Sequence, residues 1–180
     1  MGKESYKITG TVLREQMVDE IRKAARQFAM LYFHFCDVLQ KTYGLEKTKE
    51  IVRQTVFELA VDRSDQLREK AHKQGKATET KKDFMEVVDL PLCGWIPQWG
   101  ADHCPYAEVW RTYFDEHPWF KELAPYYCDV IDTTTIENFT KRLSHKLTQN
   151  VLLEGESCER EYFVSEEVKK GNYTYGGKEQ

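Results

Sequence analysis

The sequence predicts an α+β domain: a long N-terminal helical hairpin followed by a small antiparallel sheet with short helices. Three observations carry that prediction. Apolar residues recur at three- and four-residue steps over 13–39 and again over 52–67, the period of helices with one apolar face. Pro91, Gly94 and Pro97 then break up the middle of the chain. Near the end, KLTQNVLLEGESCEREYFV places two strand-like runs around Glu154-Gly155-Glu156, the pattern of a β-hairpin.

In the first helix, Leu13, Met17, Ile21, Ala24, Phe28, Tyr32, Phe35 and Leu39 form the expected buried stripe. Arg14, Asp19, Arg22, Lys23 and Arg26 are expected to face away, and Cys36 reads as a small core residue. Gly44 supplies a stop. A second helix starts near Glu46, carries Val52, Val56, Leu59, Ala60 and Leu67, and ends at Gly75. So short a connection predicts that the two helices are antiparallel neighbours. GKATETKK is a polar linker, and DFMEVVDLPLCGWIPQWGADHC reads as extended structure with turns. Helical spacing resumes over 104–116, with Pro105 in the first turn, where its missing N–H costs nothing. Two more short helices are expected over 119–127 and 133–143, before the hairpin. His117 and His145 stand among polar residues and are expected at the surface. Residues 1–164 are expected to make a single α+β domain, and 165–180 a polar C-terminal tail.

Lys and Arg number 26 against 30 Asp and Glu, a formal net charge of −4, which argues against a nucleic-acid partner. The one basic run, RKAARQ, lies among helix-surface charges and reads as a solvated face. No stretch approaches the roughly 18 apolar residues of a membrane span, so no membrane partner is expected. MGKESYKITG lacks secretory character, and a cytoplasmic location is expected. Five cysteines without CxxC spacing are then reduced thiols rather than a disulfide framework.

The chemistry turns on WGADHCPYAEVW, where His103 and Cys104 stand side by side ahead of a helix-starting proline. A thiol at a helix N-terminus feels the positive end of the dipole, which favours thiolate. That ranks Cys104 first among candidate nucleophiles, against the alternative of a buried structural cysteine. His103 is a candidate proton carrier, although in an extended segment it points away from Cys104. Cys104, Cys128, Cys158 and His103 are also a ligand set that zinc accepts, but they lack the short paired spacings of familiar zinc modules. Trp95, Trp99, Tyr106, Trp110 and Trp119 crowd the same region, as core aromatics or as walls for a flat heterocycle.

CPYAEVW, YYCDVID and NVLLEGESCEREYF together resemble the L-2-amino-thiazoline-4-carboxylic acid hydrolase family, over about residues 11–163. Cys104, Cys128-Asp129, Gly155 and Cys158, in that order, carry the likeness; WIPQWGADH has no counterpart in it. The resemblance implies hydrolytic opening of a small cyclic C–N or C–S compound. Read from the residues themselves, that chemistry would use Cys104 as nucleophile with Asp129 or His103 moving protons, and Cys128, Cys158, Tyr106 and Trp99 against the substrate. No cofactor is expected, zinc being the competing reading. The expected partner is a small-molecule substrate, and a homo-oligomer is left open. A non-catalytic small-molecule-binding or sensing domain, or a zinc/thiol site, are the alternatives.

Overall fold

The computed structural model describes residues 11–95, 104–153, 157–164, 174–175 and 178–179, and it has the expected α+β architecture. The described helices are α1 Arg14–Tyr43, α2 Leu45–Lys73, α3 Lys81–Val87, α4 Pro105–Thr112 and α5 Ala124–Thr140. They precede β1 Leu143–Gln149 and β2 Glu159–Val164, which pair antiparallel from Leu143↔Val164 to Gln149↔Glu159. The Glu154-Gly155-Glu156 turn of this hairpin lies outside the described residues. Within the segment read as a tail, β3 Thr174–Tyr175 pairs with β4 Lys178–Glu179.

The first helix is present, but its buried face is one residue out of phase with the expected stripe. Val18, Arg22, Ala25, Ala29, Phe33 and Cys36 face the core, whereas Leu13, Met17, Ala24 and Phe35 are exposed. The reason lies in side-chain size. Ala25 and Ala29 let α4 approach closely enough for the Trp110 indole N–H to donate to the Ala29 carbonyl at 2.8 Å. Phe33 then stacks face to face on Tyr113, with centroids 3.7 Å apart. Periodicity alone could not choose among the apolar arcs of so apolar a helix.

Gly44 (φ 78°) alone separates α1 from α2, and the two helices touch, yet they are not each other's main partners. α1 packs chiefly on α4, and α2 on α5. Val52, Val56, Ala60, Ser64, Leu67 and Ala71 form the buried face of α2, while Leu59 is exposed. Ser64 Oγ donates to the Thr135 carbonyl at 3.1 Å and Arg68 to the Asn138 carbonyl at 3.0 Å, tying α2 to α5. α2 ends as expected at Gly75 (φ 65°), where Gly75 N–H reaches His72 O and Lys76 N–H reaches Ala71 O. This pair of bonds is the Schellman arrangement that a left-handed glycine permits.

Two expectations for the middle of the chain are corrected. The stretch after the polar linker opens as helix α3 rather than as extended chain. Thr80 and Asp83 form a reciprocal capping box there, satisfying the first-turn N–H groups locally. The two short helices expected over 119–127 and 133–143 are instead a 3-10 turn, Pro118–Glu122, and one continuous α5. Thr134 and Thr135 in the middle of α5 are buried in tertiary packing that outweighs their modest helix propensity.

Candidate functional site

α4 positions the site, and a charged anchor positions α4. Glu108 accepts from Arg22 on one oxygen, and on the other from Arg26 Nε at 2.9 Å and Nη2 at 2.8 Å. Arg22, expected outside, is 8% exposed and also donates to the Gly94 carbonyl at 2.8 Å. It was misplaced because its charge masked a buried role. Gly94 is needed at that contact, since a Cβ there would lie 2.7 Å from Ile21 Cγ2. Residues 94–95 are thereby clamped to α1 just ahead of Cys104.

Cys104 is the N-cap residue of α4, followed by Pro105 in the first turn as expected. It closes no short cap bond, yet the N–H groups of Tyr106 and Ala107 and the Trp95 indole act on its sulfur and favour the thiolate. Burial opposes them and wins, so the thiol's pKa is raised above its ordinary value. The sequence argument weighed the helix dipole without desolvation, and desolvation reverses the sign.

Cys104 at the start of α4, Cys128 on α5 and Cys158 just before β2 pack against the same apolar core. Cys128 on α5 is within electrostatic reach of both other thiols, and Cys104 of Cys158. Burial pushes Cys128 well above the usual thiol range, with Asp132 adding to the rise. Cys158, just before β2, accepts the Val151 N–H at 3.5 Å on its sulfur. Tyr106 and Tyr127 meet edge to face at 5.4 Å, and the Tyr106 hydroxyl donates towards that of Tyr127. Burial raises both phenols, keeping them neutral donors. Phe28, Tyr32 and Trp110 complete an aromatic wall behind them.

Asp129 is exposed at the edge of this group. Burial of part of its carboxyl and the nearby Asp132 raise its pKa, against a lowering pull from Arg53. Asp132, one helical turn beyond Cys128, is the carboxylate that acts most strongly on that thiol. Arg160 of β2 holds it through Nε at 3.1 Å and Nη2 at 2.8 Å. Arg63 grips Asp89 with Nε at 2.8 and 2.9 Å and acts on both Tyr127 and Asp132. Asp132, Arg160 and Tyr127 are site residues that the sequence reading does not single out. The i, i+4 spacing of Cys128 and Asp132 could have flagged Asp132, since it puts both on one helix face. The Arg160 partnership depends on the hairpin's return and has no local signal.

His103 and Trp99 lie outside the described residues. His145, expected at the surface, is 4% exposed on β1, with Nδ1 3.1 Å from Thr133 Oγ1 and its ring against Tyr162. The inward pleat of β1 against α5 buries it despite its polar neighbours. His117 is also part-buried, tilted against Phe33. Among the described residues no three His, Cys, Asp or Glu side chains are grouped to hold a metal ion. None of the described helices is long and apolar enough to cross a membrane. The chain matches no family model, no curated protein and no solved structure.

Proposed function

We propose that the protein is a hydrolase that opens a small cyclic C–N or C–S compound, a thiazoline- or amidine-like ring, with Cys104 as nucleophile. The observation that carries this reading is that Cys104, Cys128 and Cys158 pack on one apolar core together with the Tyr106–Tyr127 ring pair, near the carboxylate of Asp132 that Arg160 holds. In the proposed reaction Cys104 Sγ adds to the ring C=N carbon and the thiol proton passes to the ring nitrogen. Collapse breaks the ring C–S or C–N bond, the departing atom taking a proton. Water then adds to the thiol-bound carbon and expels Cys104 as the thiol, so one water is consumed per ring opened. The Tyr127 phenol, which accepts from Tyr106, donates to the adduct, and α4's first N–H groups favour the attacking thiolate. Asp129 shuttles protons with solvent: partial burial, and then its neighbour Asp132, raise its pKa and make it a readier proton carrier than an isolated carboxylate. Cys128 and Cys158 line the space, with His103 and Trp99 as further candidates.

One observation favours a second reading, a binding or sensing domain that leaves the ring intact. Burial keeps the Cys104 and Cys128 thiols protonated, which suits an apolar pocket as well as a latent nucleophile. Incubation with a 2-amino-thiazoline-4-carboxylate or a hydantoin, followed by chromatography, separates the two. Turnover by the wild type, lost in Cys104→Ser with binding and melting unchanged, supports the hydrolase. Binding without ring opening supports the sensor.

A further inference from the structure

Helix α1 leaves a second apolar stripe on the side away from its core. Leu13, Met17, Ala24, Leu31, Phe35 and Val38 follow one another along it, with Met17, Ala24, Leu31 and Val38 seven residues apart. Leu31, Phe35 and Val38 keep 55%, 62% and 61% of their exposure, far more than an aliphatic or aromatic side chain in a packed interface. A repeat of seven drifts only about 20° per heptad, so a gentle supercoil keeps such a stripe facing a partner helix over several turns. A helix apolar on two opposite sides has two faces to cover, and the core covers one.

We propose that this stripe is the interface of a homodimer in which two α1 helices pack antiparallel, crossing near residues 30 and 31. Charge decides the direction. Glu20 and Lys41 are exposed near opposite ends of the stripe, and among the described residues they are tied to neighbours on their own helix, Glu20 to Lys23 and Lys41 to Asp37. An antiparallel crossing at 30–31 sets Glu20 of each copy opposite Lys41 of the other, twice, and Gln27 opposite His34. A parallel pair would instead align Glu20 with Glu20 and Lys41 with Lys41, an arrangement that like-charge repulsion disfavours. The match also names the occupant, since this chain carries the complement of its own charge pattern, as a two-fold interface requires.

Area sets the strength. From Leu13 to Val38 the stripe runs about 38 Å at the rise of an α-helix, and at about 10 Å wide it buries on the order of 800 Å² over both copies. That is below the size of stable interfaces, so the dimer is a weak, transient one that forms only at raised concentration.

Sedimentation equilibrium on the full chain, from low micromolar to several hundred micromolar, tests this. The expected result is a mass rising with concentration towards twice that of the chain. Leu31→Glu with Phe35→Glu stays monomeric with unchanged circular dichroism and melting, because both side chains are exposed in the single chain. Glu20→Lys and Lys41→Glu each weaken association several-fold, and the two together restore it. A monomer at every concentration overturns the proposal, as does association indifferent to Leu31 and Phe35. Failure of the double charge reversal to restore association overturns the antiparallel pairing.

Discussion

Replacing Glu108 by Gln removes the carboxylate that holds α4 to α1. Removing one partner from a buried ion pair costs roughly 3–5 kcal/mol, because the other charge stays behind in a poor solvent. The Arg22 and Glu108 side chains retain 10% and 16% exposure, so little water can repair the loss. Gln still offers one acceptor, and Arg22 keeps the Gly94 carbonyl at 2.8 Å. We therefore expect a destabilisation of about 2–3 kcal/mol, which for a chain of this size lowers Tm by roughly 4–12 °C. Urea unfolding followed by tryptophan fluorescence and a thermal melt both read this directly. Arg26→Gln is the control: that side chain is 40% exposed, and its loss should cost under about 1 kcal/mol. Arg22→Met with Glu108→Met should cost much less than the two single changes added, since no charge remains buried. A Glu108→Gln protein as stable as wild type, or one no weaker than Arg26→Gln, would refute the anchor.

Gly94→Ala should destabilise by roughly 1–3 kcal/mol through the clash with Ile21 Cγ2. Adding Ile21→Ala, which removes that methyl, should recover part of the loss in the same melt. Burial lowers the pKa of His145 below its ordinary 6.5. The neutral ring therefore contributes stability that is fully present above pH 6.5 and is lost as pH falls through the folded value. Urea midpoints at pH 7 and pH 5 should differ, and by less in His145→Gln. The thiols follow the opposite sign: the pKa of Cys104 and Cys128 is raised, so their contribution is present below the ordinary value of 9.0 and lost as pH rises beyond it. Iodoacetamide should label Cys104 slowly at pH 7 and faster as pH rises. Cys36, pushed up to about 12, and Cys128 should lag behind it at every pH. Peptide mass spectrometry gives the order, and early labelling of Cys128 would contradict it.

How far the chain could be read without coordinates depended on whether the deciding interaction was local. The stop at Gly44, the left-handed Gly75, the Pro105 helix start and the hairpin are set by residues within a few positions, and all were legible. The phase of α1 was not, because it is decided by how closely α4 approaches Ala25 and Ala29. The three thiols could be named as candidates, but their meeting depends on α4, α5 and β2 packing together. Arg22 and His145 were misjudged for the same reason. A polar residue's burial depends on partners 12 to 86 positions away, such as Thr133 and Glu108.

The hairpin has a consequence for how the molecule comes into being. Cys104 and Cys128 are synthesised well before Cys158 and Arg160, and the helices that carry them can dock while the strands are still to come. Only when β2 returns along β1 does Asp132 gain its guanidinium. The ladder's outermost pair, Leu143↔Val164, closes a loop of about twenty residues, late in synthesis and slower than helix formation. A nascent chain is therefore a helical body in which Cys158 and Arg160 have yet to join Cys104, Cys128 and Asp132. Slow ribosomal passage over 150–164 would prolong that interval, and a chain cut short before Glu159 would keep its helices but lack the last wall of the site.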